Sequence, residues 1–352
     1  MPPAAEVGRL DEPSWDRFVE AHPLGWVCHL SDWQRVLQES FPHITGHLLV
    51  IRDSTSIRAG IPVYQVNSWL SGNRLVSIPF ATLCQPLVSG PEDKDQLLDA
   101  VLEFSRAGGS RYVEIRTMRG LPAAAEERLA RSDRFKHHSL MVDGDLEALR
   151  KRFDRSCVRQ RIDRALKNGI ELTSVVDDGG LRQFYDLYLK LRRRIGLPPQ
   201  PYRFIRSLWA TFFPSGRLEV QLATYRGVPI AGILLLRFNG RVSAEYQVSD
   251  ESHRDLSPNH LLVWNAIRRA HDDGCRVFDF GRTNCANSSL LDFKRRWGTT
   301  VSDLPVYYFP RAFVRPGQGD ESRLRRISYT AFRRMPDWCN RWLGERIYDH
   351  MG

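Results

Sequence analysis

The same pattern of apolar segments occurs twice in this chain, and this duplication constrains the fold more than any other feature of the sequence. An amphipathic helix is predicted over Glu92 to Ala107, and the same apolar spacing returns over Ser257 to Asp273, 165 residues later. The helices are followed by Gly109 and Gly274, which keep the offset of 165. Because this period is far longer than that of a solenoid repeat, the sequence predicts two domain-sized copies.

Three alternating apolar segments precede each helix, and an apolar strand opening with arginine follows it, at Arg111 and Arg276. Turn signals separate the segments, which predicts antiparallel meanders over His47 to Ile51, Arg58 to Val66 and Arg74 to Pro79, and over Arg217 to Thr224, Val228 to Phe238 and Arg241 to Val248. Each copy is therefore predicted to be a β-β-β-α-β unit. The fold class is α/β (α+β), with mixed, mainly antiparallel sheets flanked by helices; convergent patterning of two unrelated halves is the alternative.

The segments outside the repeat complete the predicted organisation. A first domain is expected over residues 1–145, a basic connecting helix over 146–168, a second domain with the active cleft over 169–312, and a basic amphipathic C-terminal segment over 313–352. The connecting helix carries eight Lys or Arg residues and is predicted to turn its apolar side chains toward a core, namely Leu149, Phe153, Cys157, Ile162 and Leu166. Two further helices are expected over Leu181 to Ile195 and Tyr202 to Phe213.

Composition narrows the class of partner. The 352 residues carry a net charge of +10, which suggests a nucleic acid, a pyrophosphate-linked precursor or an anionic membrane surface. The longest apolar run, Ile230 to Leu236, is too short to cross a bilayer, and the N-terminus shows no secretory signal, so we expect a cytoplasmic protein. The six cysteines form no CxxC motif, which argues against structural zinc and a disulfide framework.

Two places in the second copy have residues suited to chemistry. Ser257-Pro258 marks a helix start whose free N–H groups suit a phosphate, although a plain helix cap is an equally good interpretation. Glu245, on the last strand of the second meander, is a candidate to deprotonate an attacking amine or hydroxyl, although a strand carboxylate is commonly structural.

Cations and aromatic residues follow the last strand of the second copy. The segment from Asp279 to Thr283 ends this strand, and Phe293 to Gly298 follows after a polar loop. Such an arrangement can hold an anionic donor and polarise a carbonyl. A solvated charge run with Trp297 in the core is the alternative. The basic run from Arg150 to Lys167 could likewise follow the phosphates of a nucleic acid or be a solvated helix face.

Four motifs occur in an order that resembles a known family. They are Tyr188-x4-Arg193-x2-Gly196-Leu-Pro, Ser257-Pro-Asn259 before the helix of Trp264, Phe278-Asp-Phe-Gly-Arg282, and Phe293-Lys-x2-Trp297-Gly. This order resembles the FemAB-class proteins of the GNAT acyltransferase superfamily, especially the branch that accompanies exosortase (PEP-CTERM) systems. The resemblance extends from about Trp15 to Tyr348.

The resemblance implies tandem GNAT-like domains and an acyl transfer. Fem ligases move an amino acid from aminoacyl-tRNA to the peptide stem of a peptidoglycan precursor, whereas the exosortase branch is linked to exopolysaccharide production. By similarity, Phe293 and Lys294 would lie at the reacting acyl group, the lysine offsetting charge on the developing oxyanion, and Arg282 would contact a phosphate or carboxylate. The same motifs make further residues candidates for donor or substrate binding, namely Ser257, Asn259, Arg193 and Trp297.

Two departures from the family pattern bear on the donor. Acetyl-coenzyme A enzymes of the GNAT class usually have a glycine-containing loop before the helix, but the segment from Asp250 to Ser257 has no glycine. In the first copy, Cys84-Gln85-Pro86 stands where this branch tends to have Gly-Gly, so the first pocket is expected to be altered or unused.

The sequence therefore predicts an acyltransferase or aminoacyltransferase without a bound cofactor. Acyl-coenzyme A or aminoacyl-tRNA would be the donor, and the acceptor would be an amine or hydroxyl of an anionic or lipid-linked cell-envelope, exopolysaccharide or peptidoglycan precursor. Catalysis would use Lys294, Phe293 and Glu245. The alternatives are a non-catalytic GNAT-fold module that binds an anionic glycan precursor or an exosortase-system partner, and RNA binding for its own sake. A peripheral contact of the basic C-terminal segment with the inner face of the membrane is also an open alternative.

Overall fold

The computed structural model divides the chain into two compact units. The first comprises Met1–Phe135, Asp303–Asp320 and Arg346–Gly352, and the second comprises Lys136–Ser302 and Glu321–Glu345. The structure describes residues 5–9, 11–53, 56–69, 72–90, 92–118, 120–121, 123–312, 332–333, 335–348 and 350.

Fifteen strands occur in the described part of the chain. They are β1 (Glu6–Gly8), β2 (Ile44–Asp53), β3 (Ser56–Val66), β4 (Arg74–Val76), β5 (Leu87–Val88), β6 (Val113–Arg116), β7 (Ala130–Ser132), β8 (Phe135–Met141), β9 (Glu171–Ser174), β10 (Leu218–Tyr225), β11 (Val228–Phe238), β12 (Arg241–Ser249), β13 (Val277–Asn284), β14 (Thr300–Asp303) and β15 (Val306–Phe309).

The α-helices of the described residues are α1 (Pro13–Ala21), α2 (Ser31–Ser40), α3 (Glu92–Ala107), α4 (Ala123–Arg128), α5 (Leu146–Arg152), α6 (Gln160–Lys167), α7 (Asp178–Ile195), α8 (Tyr202–Phe212), α9 (Pro258–Asp272), α10 (Ser288–Arg295) and α11 (Asp337–Tyr348). Short 3-10 helices cover Val27–His29 and Glu251–Leu256, and a π-helical turn covers Arg155–Arg159.

The first unit contains one sheet in the order β1-β2-β3-β4-β6-β15-β7, with β5 paired to β3. Strand β4 runs antiparallel to β3 and parallel to β6. Helix α3 connects β5 to β6 and packs its apolar face, including Leu97, Val101 and Leu102, into a core with side chains of β2 and β3. The bounds of α3 agree with the prediction at both ends.

The second unit contains a sheet in the order β14-β8-β13-β12-β11-β10-β9. Its two hairpins turn at Arg226-Gly227 and Asn239-Gly240, and all four residues have positive φ. Positive φ at both central residues suits a two-residue hairpin turn, because its twist matches that of the flanking strands. The turns predicted at these places are therefore confirmed.

Helices cover both faces of the second sheet. Ile233 and Leu235 of β11 lie in one core with α9, whereas a Cβ added to Gly232 would meet Phe184 of α7 at 2.7 Å. Because successive side chains of a strand point to opposite faces, α7 and α9 lie on opposite faces of this sheet. Glycine at position 232 allows α7 to approach the strand closely.

The two units repeat the same β-β-β-α-β order. Helices α3 and α9 each join a third strand to a fourth that runs parallel to it, β4 to β6 and β12 to β13. The preceding hairpins begin their second strands at Ser56 and Val228, an offset of 172, whereas the following glycines, Gly109 and Gly274, keep the offset of 165. The first copy therefore has seven additional residues between its hairpin and the end of its helix.

The basic segment predicted as one connecting helix is broken into three parts and belongs to the second unit. Phe153 leaves α5 in an extended conformation, and Asp154 Oδ1 then accepts from Cys157 N at 2.6 Å to start the π-helical turn before α6. Because of this break, the side chains of α6 point in other directions than they would on one continuous helix. Leu149, Phe153 and Ile162 enter the core of the unit as predicted, but Cys157 is only half-buried and Leu166 is 57% exposed.

The chain crosses between the units at places that the sequence did not indicate. Strand β8 begins the second sheet at Phe135, ten residues before the predicted domain end, and β15 returns to the first sheet beside β6 and β7. These strands are short and lie outside the repeat, so periodicity gives no signal for them. Of the predicted C-terminal segment, residues 313–331 lie outside the described residues, whereas Asp337–Tyr348 form α11. Among the described helices, none has the length and apolarity needed to span a bilayer.

Candidate active site in the second unit

A cavity of about 390 Å³ lies at the N-terminal end of α9. Side chains from β12, α6, the 3-10 helix, α9 and α10 surround it, and the lining combines apolar surface with polar and cationic groups. The lining residues are Cys157, Arg161, Ser249, Arg254, Ser257, Pro258, Asn259, His260, Ser289, Asp292, Phe293 and Arg296.

Ser257 precedes α9 as predicted, but its hydroxyl does not cap the helix. Its backbone is left-handed, with φ of 62°, and the side chain makes no capping hydrogen bond. A capping serine needs an extended backbone to direct its oxygen to the helix N–H groups. The helix start is therefore left without a side-chain cap, and the predicted helix-cap interpretation is wrong for the Ser257 side chain.

Three buried polar atoms of lining residues have no hydrogen-bond partner. They are Ser257 Oγ, Asn259 Oδ1 and His260 Nδ1, and Ser257 is only 3% exposed. Asn259 uses its amide nitrogen to bind Ser249 Oγ at 3.1 Å. Because buried polar groups are nearly always hydrogen-bonded, unpaired atoms around a cavity indicate a place where a polar ligand completes the bonds.

Three arginines give the cavity its charge. Arg161 comes from α6, Arg254 from the 3-10 helix before α9, and Arg296 from the residue that ends α10. Asp292 is the one carboxylate among the lining residues, and it lies 3.9 Å from Arg295. A helix N-terminus with arginines suits a phosphate or pyrophosphate group. The loop before α9 has no glycine, but its Arg254 brings a positive side-chain charge to the cavity.

His260 forms one wall of the cavity and carries no charge near neutral pH. Burial lowers the pKa of His260 to about 4, and Arg161 adds to this shift. The imidazole stacks on Trp297 and meets the ring of Phe293 edge-on. His260 therefore adds no positive charge to the cavity near neutral pH. Its ring is a polar part of the wall, with one nitrogen that has no hydrogen-bond partner.

Lys294 follows Phe293 on α10 but reaches a different part of the unit. Its side chain is 4% exposed, and Nζ donates to the main-chain oxygens of Gly281 and Arg282, each at 3.1 Å. An ammonium group has three donors, so one remains for another acceptor. Burial lowers the pKa of Lys294 to about 8, and the carboxylates of Asp279 and Glu245 limit the fall. Lys294 is mainly a cation at pH 7.

A buried ion network lies beside the carbonyl oxygens that hold Lys294. Asp279 is 1% exposed, and its carboxylate binds Arg241, lies 2.8 Å from His137 Nε2 and accepts from Gly281 N at 2.6 Å. Burial by itself would raise the pKa of Asp279, but Arg241 and His137 outweigh it, and the pKa falls well below its ordinary value. Asp279 is therefore a fixed anion at all working pH values.

Glu245 occupies an irregular position in β12. The register passes from Leu234 opposite Tyr246 to Leu235 opposite Ala244, so Glu245 is the extra residue of a β-bulge. Burial raises the pKa of Glu245, while a hydrogen bond of 2.7 Å from the Ser243 hydroxyl opposes the rise. A carboxylate with a raised pKa can accept a proton near neutral pH.

The remaining predicted residues take other positions. Trp297 is fully buried among Phe153, Phe280 and His260, so it supports the cavity wall from the core. Arg193 lies in the last turn of α7, on the sheet face opposite α9, and is not among the residues that line the cavity. These two predicted binding roles are not supported by the geometry. Arg282 gives its main-chain oxygen to Lys294, and its charge lowers the pKa of Glu245 slightly against the effect of burial.

The corresponding place in the first unit carries the opposite charge. The first turn of helix α3 contains Glu92, Asp93 and Asp95. Asp93 is 2% exposed, and its Oδ1 lies 2.8 Å from Nη2 of Arg58. At an offset of 165, Asp93 corresponds to Pro258. The first copy fills its helix N-terminus with its own carboxylates, which disfavours an external anion there.

Several site residues could not be identified from the sequence. His260 is an isolated histidine with no functional signal around it in the sequence, and Arg161 is one of many cations in a basic run. The Phe278-Asp-Phe-Gly-Arg282 motif was singled out, but nothing in the sequence showed that Asp279 joins His137 and Arg241, which lie 142 and 38 residues away. Only the pairing of three strands brings them together.

Comparisons with known proteins agree with this fold. A family model of the acetyltransferase (GNAT) domain matches residues 152–295. The structure of FemX superposes with a TM-score of 0.66 at 16% identity, covering 86% of this chain and 96% of that one. A tandem GNAT protein from the clavulanic acid biosynthesis pathway superposes with a TM-score of 0.58 at 14% identity, covering 88% of this chain and 99% of the other. The tandem GNAT fold expected from the resemblance is confirmed.

Sequence relatives match a shorter segment. The lipid II:glycine glycyltransferase of Staphylococcus epidermidis is 29% identical over 91 residues, which are 24% of this chain and 22% of that protein. Its counterpart from Staphylococcus haemolyticus is 30% identical over 83 residues, 22% of this chain and 20% of the relative. The chain thus spans about a fifth of the length of the relatives it matches. The chain is thus similar to FemX in fold and to the glycyltransferases over this segment.

Proposed function

We propose that the second unit transfers an acyl or aminoacyl group from a phosphate-bearing donor to an amine or hydroxyl of a peptidoglycan or other cell-envelope precursor. One observation carries this proposal: two adjacent residues of α10 reach two different places. Phe293 lines the arginine-rich cavity, while the buried ammonium group of Lys294 binds a main-chain oxygen of β13. A donor anchored by its phosphate in the cavity could extend its acyl group past Phe293 toward Lys294. The FemAB-like comparisons support the reaction class.

The proposed chemistry needs no covalent enzyme intermediate. The lone pair of the acceptor amine or hydroxyl attacks the acyl carbon, and the carbonyl π electrons move onto oxygen. The free N–H of Lys294 donates to this oxyanion, which is the role of a preorganised charged donor. Glu245 takes the proton of the nucleophile. The carbonyl then re-forms, the bond to the donor breaks, and Glu245 returns the proton to the leaving sulfur or oxygen.

Two donor classes share the required chemistry. Coenzyme A carries a pyrophosphate and a thioester, and an aminoacyl-tRNA carries a phosphodiester backbone and an ester. Arg161, Arg254 and Arg296 suit the phosphates of either class. The exposed cations of the neighbouring basic segment, such as Arg155 and Arg164, would favour the longer polyanion.

The acceptor is proposed by similarity to the relatives. The staphylococcal proteins are named for glycyl transfer to lipid II, a peptidoglycan precursor, whereas an exopolysaccharide acceptor rests on the sequence motifs of the exosortase branch alone. A lipid-linked acceptor would bring the protein to the inner face of the membrane.

Transfer assays with both donors test the proposal. Purified protein is incubated with a radiolabelled acyl-coenzyme A set or with aminoacyl-tRNA, and with a lipid-linked or soluble peptidoglycan precursor as acceptor. We expect labelled product with one donor class and none when Lys294 is replaced by methionine. If neither donor gives product while the cavity still binds pyrophosphate, the alternative of a non-catalytic module that binds an anionic precursor is correct.

A further inference from the structure

Strands β12 and β13 run side by side for only a small part of their length. They are nine and eight residues long, but their parallel register covers three pairs and ends where Ser243 lies opposite Asp279. Beyond this point β13 continues to Asn284, but Gly281 within it has a left-handed backbone with φ of 69°, which makes a local turn of the strand. A residue with a side chain rarely adopts this left-handed conformation, so glycine allows the turn.

The Asp279 carboxylate is part of this turn. Gly281 N donates to Asp279 Oδ1 at 2.6 Å instead of continuing the strand ladder. This local bond from a side chain to the amide two residues later is an established competitor of strand pairing. Arg241, from β12, and His137, from β8, hold the same carboxylate from either side.

The turn also determines where Lys294 finds its acceptors. The two oxygens that bind Lys294 Nζ belong to Gly281, whose N–H the Asp279 carboxylate binds, and to the next residue, Arg282. Asp279 therefore acts on Lys294 in two ways, through the main chain that it shapes and through its negative charge.

The first unit provides a natural comparison. Glu114 lies opposite Val76 in the parallel pair of β4 and β6, and it corresponds to Asp279 at the offset of 165. Arg116 stands where the second unit has Gly281. Its main-chain N–H donates to Ser77 Oγ at 3.0 Å, and its guanidinium binds Glu114 and the main-chain oxygen of Ala81. A carboxylate is therefore present in both copies, but the first copy has Arg116, without a positive φ, where the second copy has Gly281.

We propose that Asp279 is a positioning residue: without touching the substrate, its carboxylate holds the turn that carries the acceptors of Lys294, and its negative charge stabilises the Lys294 cation. Its carboxylate is already engaged by Arg241, His137 and Gly281 N, which keeps it from the substrate. The role of Lys294 in transfer rests on the proposed function, whereas the action of Asp279 on Lys294 does not. The charged and titratable groups that face Lys294 are Asp279 on β13, Glu245 on β12 and His138 on β8.

The titration of Lys294 tests this inference without any acyl donor. The chain has six lysines, so a protein labelled with ¹³C-lysine gives few side-chain Cε signals, and the Lys294 signal is the one that Lys294→Met removes. In Asp279→Asn, the amide oxygen can still accept from Gly281 N, but the charge is gone. The midpoint of the Lys294 titration should fall by about one pH unit or more, the usual effect of removing an opposite charge at close range.

Glu114→Gln is the matched control, because it makes the same change in the first copy. It should leave the Lys294 midpoint unchanged. A transfer assay then adds a second readout: Asp279→Asn should lower kcat with KM unchanged, since the residue contacts no substrate. Absence of transfer by the wild-type protein would overturn the proposed function, but the titration would still decide the role of Asp279.

An equal Lys294 midpoint in Asp279→Asn and wild type, with both proteins folded, would overturn the inference. Removing Asp279 leaves Arg241 buried without its partner, which can prevent folding. The double variant Asp279→Asn, Arg241→Gln removes both charges and serves in that case. Its Lys294 midpoint should also lie below that of the wild type, and an unchanged value there would contradict the inference in the same way.

Discussion

The ammonium group of Lys294 lies 3.1 Å from the main-chain oxygen of Gly281, inside the second unit and almost out of contact with solvent. A cation in such a place is costly, and its pKa of about 8 reflects that cost. Residues that destabilise the fold yet stay in place commonly serve function. Substitutions in this region separate the effect of the buried cation on stability from its use in transfer.

Replacing Lys294 by methionine should leave the protein as stable as the wild type or more stable at pH 7. The pKa of Lys294 is lower in the folded state than its ordinary value of 10.5, so the unfolded chain binds the proton more tightly. The stability of the wild type should therefore rise between pH 8 and 10.5, by at most about 3 kcal/mol, whereas Lys294→Met lacks this rise. Urea denaturation of both proteins at pH 7 and pH 10 measures the difference.

The matched control is Lys167→Met, which removes an exposed lysine at the end of α6. It should follow the wild type at both pH values. A Lys294→Met protein that is less stable than the wild type at pH 7 by several kcal/mol would show that the two carbonyl hydrogen bonds outweigh the burial of the charge.

The cavity should bind inorganic pyrophosphate through Arg296. Arg296→Ala should weaken this binding about ten-fold, the usual loss for one charge-assisted hydrogen bond. Arg268→Ala is the control, because this exposed arginine of α9 does not line the cavity. Titration calorimetry at fixed salt compares the three proteins. Equal weakening by both substitutions would indicate a general effect of charge and count against a defined site.

Glu245 should determine the acidic limb of the pH-rate profile of transfer. Glu245→Gln should lower kcat by about 10² or more, because the proton acceptor is lost. Ser243→Ala removes the hydrogen bond that favours the carboxylate, so the pKa of Glu245 should rise further and the acidic limb should move to higher pH. A limb that stays in place in Ser243→Ala would assign the proton to another group, such as one on the substrate.

Gly281→Ala should impair transfer more than stability. Gly281 and Gly240 both have left-handed backbones, with φ of 69° and 71°, so alanine at either position should cost about 1 kcal/mol. Of these two glycines, Gly281 alone provides an acceptor for Lys294, so Gly281→Ala should also reduce kcat and Gly240→Ala should not. Thermal unfolding and transfer assays on both variants check this. Equal activity of the two variants would exclude a functional role for the turn at Gly281.

The repeat made much of the fold predictable. Long alternating strands and amphipathic helices leave a periodic signal, so β10, β11, β12 and α3 were found within a residue or two of their observed bounds. Strands such as β8 and β15 have no repeat partner in the sequence pattern and take their place only through pairing with distant strands. The broken basic helix shows a further limit, because the hydrogen bond from Cys157 N to Asp154 interrupts a pattern that looks continuous.

The site was predictable where a residue has a local signal. Ser257-Pro258 marks a helix start and Phe293-Lys294 follows the family motif, and the structure places Ser257 and Phe293 at the cavity. Trp297 was assigned to the binding residues, but an aromatic residue beside cations can equally belong to the core, and the structure places Trp297 there, fully buried. The link between Asp279 and His137 depends on the order of strands in the sheet, which local sequence does not contain.

Single-turnover transfer by the wild-type protein and by Lys294→Met is the most direct test of the account. Each protein would be mixed with a labelled acyl-coenzyme A or aminoacyl-tRNA and with a peptidoglycan precursor, after calorimetry with pyrophosphate has shown that the cavity is intact. We expect product with the wild type and a rate of transfer at least about 100-fold lower with Lys294→Met, while the affinity for pyrophosphate stays unchanged. Equal product formation by the two proteins would contradict it.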